Sequence, residues 1–379
     1  MDRKRQEGFS LVEVLVGLVI GLLAMLAVFQ TLALFESQRR TTSEGADMQQ
    51  NGLSALYALE QDIRLGGYGL IDNGSMPCFT INAYGSPQSI FQSVPIQIAD
   101  GGTGGSDTLV TARLDSDTGG VATGGGRAQI ISASQSSITV DTGRGLKAND
   151  YILISQPPNL ACSLLQVSST YSYPTPVPTP APDPSTISLV AVANPAGTSG
   201  TPSFPSYSGN TSNPYAVIVD IGQSAPFVTS TYSVSSGNLV ESDNGGAAQA
   251  VTGNIVNIQA QYGVAPAGSQ SINCWTDAVG SHCSPSSGDW ANPSSADFER
   301  VKAIRIAIVA RSDLKEKPSS GTTCNATATA PTAWPSAGLP PGSSNPPTID
   351  LSSDPNWQCY RYKVYSTIVP LRNVIWGNL

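Results

Sequence analysis

The longest pattern along the chain is an apolar stretch close to its N-terminus. Residues 9–35 read FSLVEVLVGLVIGLLAMLAVFQTLALF and carry one charge, Glu13. As a helix they would extend about 40 Å at about 1.5 Å per residue, and about 20 apolar residues suffice to cross a bilayer core. The pattern therefore predicts a transmembrane helix over residues 9–35.

The helical pattern continues as an amphipathic one over residues 36–66. Apolar residues recur there at intervals of three or four, a stripe that would pack against a sheet: Leu53, Leu56, Leu59 and Ile63. Gly66-Gly67 is a natural stop for a helix. Gly45 and Gly52 weaken the middle of this segment and predict a kink there.

The sequence pattern of residues 67–379 is typical of short strands joined by turns. Ten strands are predicted: Thr108–Leu114, Gln129–Ala133, Ser137–Asp141, Tyr151–Gln156, Thr186–Ala193, Tyr215–Ile221, Val228–Val234, Ile255–Val264, Val301–Arg311 and Arg361–Leu371. Two proline-rich stretches, residues 173–184 and 331–347, are predicted as loops. The first, YPTPVPTPAPDP, favours a stiff polyproline II connector.

Composition agrees with a head rich in strands and loops. Only 12 % of the residues are charged, while glycine (37) and proline (28) are abundant. The formal net charge of −8 argues against nucleic-acid binding, because neutralising phosphates requires clustered lysine and arginine.

The first eight residues, MDRKRQEG, form a basic leader. Arg3, Lys4 and Arg5 favour a cytoplasmic N-terminus with the rest of the chain sent outward. An ordinary secretory signal has a shorter apolar run that ends in a small-residue cleavage site. A plain signal anchor is the alternative, but it does not explain Glu13, a carboxylate that is costly in an apolar helix unless it is paired.

The six residues Gly8-Phe9-Ser10-Leu11-Val12-Glu13 resemble the type III signal of type IV prepilins and pseudopilins. The resemblance implies that a prepilin peptidase cuts after Gly8 and methylates the new N-terminal residue, Phe9. It also implies that Glu13 sets the register of subunit docking by pairing with the free amine of its own or a neighbouring subunit. Gly17 and Gly21 form a GxxxG on the same helix, which would permit close helix approach.

Six cysteines are predicted to form disulfides, since an even count in an exported chain favours them. Six cysteines allow 15 pairings, and proximity in sequence favours Cys78–Cys162, Cys274–Cys283 and Cys324–Cys359. The sequence as a whole predicts an α+β protein, with a long N-terminal transmembrane helix followed by a β-rich, disulfide-containing head.

Catalytic and metal sites find little support in the sequence. His282 is the only histidine, none of the cysteines forms a CxxC, and no GxSxG, GxxxxGK[ST] or HExxH occurs. The run Asp115–Gly120 is similar to a calcium loop, but it lacks the third acidic position and the glutamate, so a plain turn is favoured. We expect no enzyme activity, cofactor or metal, and we expect the five tryptophans to pack in the core.

Within the pilins, the chain resembles the PilW family of minor pilins in four stretches: Leu53–Gly69, Asn254–Val264, Val301–Ser312 and Tyr360–Asn373. The resemblance implies a non-enzymatic minor pilin with a pilin-like head that takes part in initiating type IV pilus assembly, in a priming or tip complex. Implied partners are other minor pilins, the major pilin, the inner-membrane assembly platform, the prepilin peptidase and a tip adhesin.

The resemblance also implies a location and an outcome. Before assembly the protein would cross the inner membrane once with its head in the periplasm, and after assembly it would lie in the pilus at the cell surface. Twitching motility, adhesion and DNA uptake are the family's outcomes. Two alternatives stay open: a type II secretion pseudopilin of the larger, tip-located kind, and a membrane-anchored periplasmic binding module.

Overall fold

One long helix forms the N-terminal part of the computed structural model. This helix, α1 (Leu11–Leu65), begins after Ser10 and ends at Gly66, whose N–H bonds to the carbonyls of Asp62 and Ile63. It continues through Gly45 and Gly52 without a break in the helix. The structure describes residues 10–68, 70, 79–82, 90–92, 94–114, 127–133, 137–143, 145–156, 159–173, 185–191, 217–222, 227–316, 318 and 324–376.

Short strands dominate the rest of the described chain. In order they are β1 Thr80–Asn82, β2 Ile90–Gln92, β3 Ile96–Ala99, β4 Thr108–Leu114, β5 Arg127–Ala133, β6 Ser137–Val140, β7 Tyr151–Gln156, β8 Asn159–Val167, β9 Ser185–Ala191, β10 Val217–Gly222, β11 Phe227–Ser235, β12 Asn238–Asp243, β13 Gln249–Gly253, β14 Ile255–Val264, β15 Cys274–Thr276, β16 Val301–Arg311 and β17 Tyr362–Pro370. Two short helices, α2 (Ser295–Arg300) and α3 (Arg372–Trp376), flank β16 and β17.

Six of the strands close into a ring. Their order is β8-β7-β10-β5-β6-β9, and β9 pairs again with β8 through Leu165 and Ala191. Strands β1 and β2 extend this sheet beyond β8. The ring has its own apolar core, in which Ile138, Ile152 and Ile187 are fully buried. It is therefore a small barrel with a core separate from that of the remaining head.

The other two sheets pack together with α1. The five-stranded sheet has the order β13-β12-β11-β4-β3, and the four-stranded sheet has the order β15-β14-β16-β17. One apolar cluster joins Leu59 and Ile63 of α1 to Leu109 of β4 and to Ile258 and Ile306 of the four-stranded sheet. The second face of that sheet is covered by the predicted proline-rich loop 331–347 and the residues after it, through Trp334 and Ile349 among others.

The barrel is inserted at the end of the head farthest from the apolar part of α1, which we call the distal end. Strand β4 ends at Leu114, which pairs with Phe227 at the start of β11. The carbonyl of Ala112, two residues earlier, accepts a hydrogen bond of 2.8 Å from Gly67, just past the end of α1. The chain therefore leaves for the barrel and returns from it beside the C-terminus of α1.

The predicted α+β class, with a long helix and a disulfide-containing β-rich head, is confirmed. Strands occur at all ten predicted positions, and four of these have the predicted bounds: Thr108–Leu114, Tyr151–Gln156, Ile255–Val264 and Val301–Arg311. The leader, Cys78, the Asp115–Gly120 turn and residues 174–184 of the first proline-rich stretch lie outside the described residues.

Candidate functional site: the N-terminal helix and its seat in the head

The first part of α1 has no contact with the head. Residues Leu11–Leu32 have a mean hydropathy of 2.8, and none of this segment is buried inside the protein. Its large apolar side chains are 52–76 % exposed. Twenty-two helical residues extend about 33 Å, enough for a bilayer core of about 30 Å. The segment therefore needs an apolar environment that the head does not supply.

Glu13 lies in the first turn of α1. Its side chain is exposed, and it forms no ion pair within the described part of the chain. A carboxylate in the first turn is favoured by the helix dipole, but in a bilayer it would still require a positive partner. Gly8 and Phe9, the predicted cleavage and methylation residues, lie outside the described residues, so their roles stay predictions.

Gly17 and Gly21 lie in the middle of the exposed apolar segment. A Cβ built on either residue would meet no atom within 4 Å. Neither glycine therefore serves a contact within this chain. The predicted close helix packing at these two positions would have to involve a second molecule.

The second part of α1 is seated in the head along one face. Met48, Ala55, Leu59 and Ile63 are buried there. Leu53, which the sequence pattern placed on the packing stripe, is instead 46 % exposed, and Leu56 is only partly buried. The buried face is therefore defined by small and apolar residues that follow a slightly different stripe.

Gly52 lets α1 approach strand β17 closely. A Cβ at this position would lie 2.3 Å from ring carbons of Tyr365, well inside van der Waals contact. Sequence reasoning identified Gly52 only as a weak point of the helix. Its absent side chain is a packing requirement, because the aromatic ring occupies the space where a Cβ would stand.

The Gly52→Ala variant should be destabilised by about 1–3 kcal/mol, because the Tyr365 ring must move although alanine is the better helix former. Gly45→Ala is the matched control. A Cβ at Gly45 meets nothing within 4 Å, so this variant should gain about 0.5–1 kcal/mol. Denaturant unfolding of both variants measures the difference. Equal and stabilising effects would contradict the packing role of Gly52.

A polar joint ties the last turns of α1 to the five-stranded sheet. The carboxylate of Asp62 lies 2.9 Å from the hydroxyl of Tyr232 and 3.4 Å from Nη1 of Arg113. The same hydroxyl lies 2.9 Å from Oε1 of Glu241. Burial, followed by the two neighbouring carboxylates, raises the pKa of Tyr232, so this phenol stays a donor. The joint fixes the rotation of α1 on the sheet.

The C-terminus of α1 is closed by residues distant in sequence. The side-chain amide of Asn373 donates to the carbonyl of Gly66 at 2.9 Å, across 307 positions of sequence. A Cβ on Gly66 would lie 2.6 Å from the carbonyl oxygen of Pro95, which requires glycine there. The side chain of Asn373 therefore caps the C-terminus of the long helix.

A second polar joint lies between the five-stranded and four-stranded sheets. Asp107 is buried, and its carboxylate accepts hydrogen bonds from the backbone N–H groups of Gly101 (2.9 Å) and Ala260 (2.8 Å). Burial is the main cause that raises the pKa of Asp107 to about 7, against the two hydrogen bonds, which lower it.

Asp107 should make the head less stable as the pH rises from 4 to 7. Its folded-state pKa is about 7, raised from 3.8, so in this window the unfolded chain releases a proton that the folded chain keeps. Its contribution is fully present below pH 4. Between pH 5 and 7 it should fall by about 2–3 kcal/mol. Unfolding at several pH values should show a flatter profile for Asp107→Asn, and an unchanged profile would contradict the assignment.

The disulfides brace the C-terminal part of the head. Cys274 is bonded to Cys283, and Cys324 to Cys359, which are two of the three predicted pairings. Cys162 is also disulfide-bonded. The predicted Cys78–Cys162 pairing stays a prediction, because Cys78 lies outside the described residues.

His282 is exposed, whereas Trp275, Trp290 and Trp334 are buried and Trp357 is half-buried. The His282 ring is exposed, with Nδ1 3.3 Å from the carbonyl of Gly342. Trp290 is buried against Tyr262. Trp275 and Trp334 enclose the guanidinium of Arg305, with ring centroids 4.7 Å and 4.3 Å away. Within the described ranges, no group of three or more His, Cys, Asp or Glu residues could hold a metal ion.

Comparison with protein families gives two matches. Residues 3–29 match the prokaryotic N-terminal methylation motif, and residues 221–373 match PilW, the type IV pilus-assembly protein W. Searches of curated proteins and of solved structures returned no match. The PilW match contains three of the four stretches that resemble this family, and all of the barrel except the last two residues of β10 lies between the two matched regions.

One match covers the exposed part of α1 and the other covers much of the head. The methylation motif contains the basic leader and most of the apolar segment, which indicates anchoring in a membrane. The PilW region contains β11–β17, which belong to both sheets on which α1 is seated, and Asn373, which caps it. Membership implies processing by a prepilin peptidase and association with pilus components. The chain therefore contains a prepilin methylation motif and a PilW domain, two matches that support a type IV minor pilin of the PilW family.

Proposed function

We propose that this minor pilin acts, without enzyme activity, in a complex that initiates type IV pilus assembly and that comes to lie at the pilus tip. The observation that carries the proposal is the barrel at the distal end of the head. Subunits in a filament stack along its axis, so a module that projects from the distal end would obstruct a subunit stacked above it. A tip subunit has no such neighbour.

The N-terminal residues supply the docking step. We infer that cleavage after Gly8 exposes the amine of Phe9, which is then methylated and stays positively charged. Glu13 lies four residues later on an exposed apolar helix. In a low-dielectric environment an ion pair between this carboxylate and the amine of a neighbouring subunit is strong, and either charge alone is costly. The pair would therefore set the register of α1 among the helices of the assembling filament.

The proposal also assigns partners and a location. The head would face the periplasm while α1 is held in the inner membrane, and it would reach the cell surface with the pilus. Docking partners would be other minor pilins below it, the major pilin that follows, the inner-membrane assembly platform and a tip adhesin on its distal side. The basic leader supports this orientation, because positive residues stay on the cytoplasmic side.

Sheared pilus fractions test the proposal. We expect the protein in these fractions at a few copies per filament, together with other minor pilins, and labelling of a tagged head at filament ends. Deleting its gene should reduce the number of pili and leave their length distribution unchanged, because initiation is lost and elongation is not. Retention in the inner membrane, or labelling along whole filaments, would contradict a tip role.

A further inference from the structure

We propose that a cleft of about 410 Å³ at the distal end of the head binds a carboxylate group through the ammonium of Lys302. The cleft lies between the loop Pro266–Gln270 and helix α2, with Ser286 and Lys302 in its lining. This volume is within the range of about 300–1,000 Å³ that is usual for small-ligand sites. No residue of α1 lines this cleft, so the proposed binding is a different function from the docking of α1.

The position of the cleft follows from hydrogen bonds at the end of the head. The carbonyl of Lys302 accepts a bond of 2.9 Å from the N–H of Leu371. Two residues later, the amide of Asn373 caps Gly66 at the C-terminus of α1. The helix from Leu32 to Leu65 is about 50 Å long at about 1.5 Å per residue. The cleft is therefore at the end of the head opposite the membrane segment, where a tip subunit meets its surroundings.

The ammonium of Lys302 has fewer acceptors than donors among the described residues. The side chain is buried, with 4 % relative exposure. Its Nζ donates to the carbonyl of Glu299 at 2.7 Å, and this is its one hydrogen bond to a residue that the structure describes. An ammonium carries three donors, and a buried charge without enough acceptors is costly. Two donors are thus available to a ligand in the cleft. Burial accordingly lowers the pKa of Lys302.

The second cation in the lining, Arg300, already donates hydrogen bonds to backbone carbonyls around the cleft. Arg300 donates from Nε to the carbonyl of Ala265 (3.1 Å), and from its two other nitrogens to the carbonyls of Ser284 and Cys283 (2.9 Å each). These bonds hold the loop and the Cys274–Cys283 region around the cleft. Arg300 also lies 3.8 Å from the buried carboxylate of Asp297, which offsets its charge. It therefore shapes the site, while Lys302 keeps two donors for a ligand.

The charge balance selects a monoanion. The lining contains two cations, Arg300 and Lys302, and one carboxylate, the exposed Glu299. Because Asp297 offsets the charge of Arg300, Lys302 is the cation left to pair with a ligand, and it pairs with a single carboxylate. A dianion would bring a second negative charge beside Glu299 that no cation of the lining pairs with. Ser269 and Gln270 add neutral hydrogen-bonding groups at the entrance. The carboxylate of an acidic amino acid and that of an acidic sugar have this same chemistry.

Titration calorimetry of the mature full-length protein in detergent micelles tests the site. The probes are N-acetyl-aspartate amide, D-glucuronate and inorganic phosphate, each titrated separately. We expect saturable binding of at least one carboxylate, and which one binds identifies the source of the group. Lys302→Met should weaken that binding at least tenfold, because a charged hydrogen bond is lost. Lys363→Met, at an exposed lysine of β17, should bind as the wild type does.

A second variant decides the matter if Lys302→Met fails to fold. Glu299 is exposed, so Glu299→Gln should fold normally, and it should tighten carboxylate binding several-fold because a competing charge is removed. Absence of binding by both carboxylates would overturn the proposal. Tighter binding of phosphate, or carboxylate binding that neither variant changes, would overturn it as well.

Discussion

Replacing Glu13 with glutamine should remove the protein from sheared pili while leaving its amount in the membrane unchanged. The side chain keeps its size and loses only its charge, so the apolar segment Leu11–Leu32 should insert as before. What is lost is the partner of the N-terminal amine of a neighbouring subunit. Because an unpaired charge in a low dielectric is costly, we expect at least a tenfold decrease in the pilus fraction, measured by quantitative immunoblotting.

Glu36→Gln is the matched control for this variant. Glu36 lies on the same helix, beyond the membrane segment, and is exposed. The same loss of charge there should leave incorporation near the wild-type level. Equal incorporation of the Glu13 variant would contradict the docking role and would favour the anchored binding module, for which an intramembrane carboxylate has no use.

Removing the Cys324–Cys359 disulfide should destabilise the head by about 4 kcal/mol, from the loop-closure entropy of its sequence separation of 35. The bridge fixes the segment that leads through Trp334 and Ile349 across the second face of the four-stranded sheet. The same segment leads directly to β17, on which α1 is seated through Gly52 and Tyr365. The double variant Cys324→Ser/Cys359→Ser should therefore lose stability and also expose this face of the sheet.

The shorter bridge supplies the comparison. Cys274–Cys283 has a sequence separation of 9, and its removal should cost about 3 kcal/mol. The segment after this loop is also held in place by Asp297, which accepts hydrogen bonds from Ser286, Ser287 and Ser294. Denaturant unfolding of both double variants measures the order of the two effects. A larger loss for the shorter bridge would show that loop entropy does not govern this part of the head.

Strands with continuous apolar or β-branched runs could be predicted from the sequence because the signal is in the strand itself. Val301–Arg311 is of this kind, whereas Ile255–Val264 was predicted from its alternation of residues, and both are central strands of the four-stranded sheet. Strands β12 and β13 were missed. They contain NLVESD and QAVTG, and β13 is largely exposed. They form because neighbouring strands supply their hydrogen bonds. The local sequence carries no signal of these partners.

The seat of α1 could be predicted only in part, for a related reason. The spacing of apolar residues at intervals of three or four identified Leu59 and Ile63, because residues at this spacing lie on one face of a helix. Gly52, Asp62 and Asn373 owe their roles to residues far away in the chain: Tyr365, Tyr232 and Gly66. A glycine or an asparagine has no local pattern that distinguishes such a role from an ordinary turn.

The distal end of the head was not predicted. The strands of the barrel were identified one by one, but their closure depends on the second pairing of β9 with β8, which no periodicity shows. In the sequence, Lys302 is one of three cations in a largely apolar strand, and no pattern there distinguishes it as a binding residue. Only its burial and its place in the cleft make it a candidate for binding.

Mass spectrometry of the mature N-terminus tests the central claim, that the chain is a processed prepilin. The protein purified from its membrane should begin at Phe9, and this residue should carry one methyl group on its amine. In a strain without prepilin peptidase the leader should stay attached. An intact leader in the wild type, or cleavage after the apolar segment Leu11–Leu32, would contradict the claim.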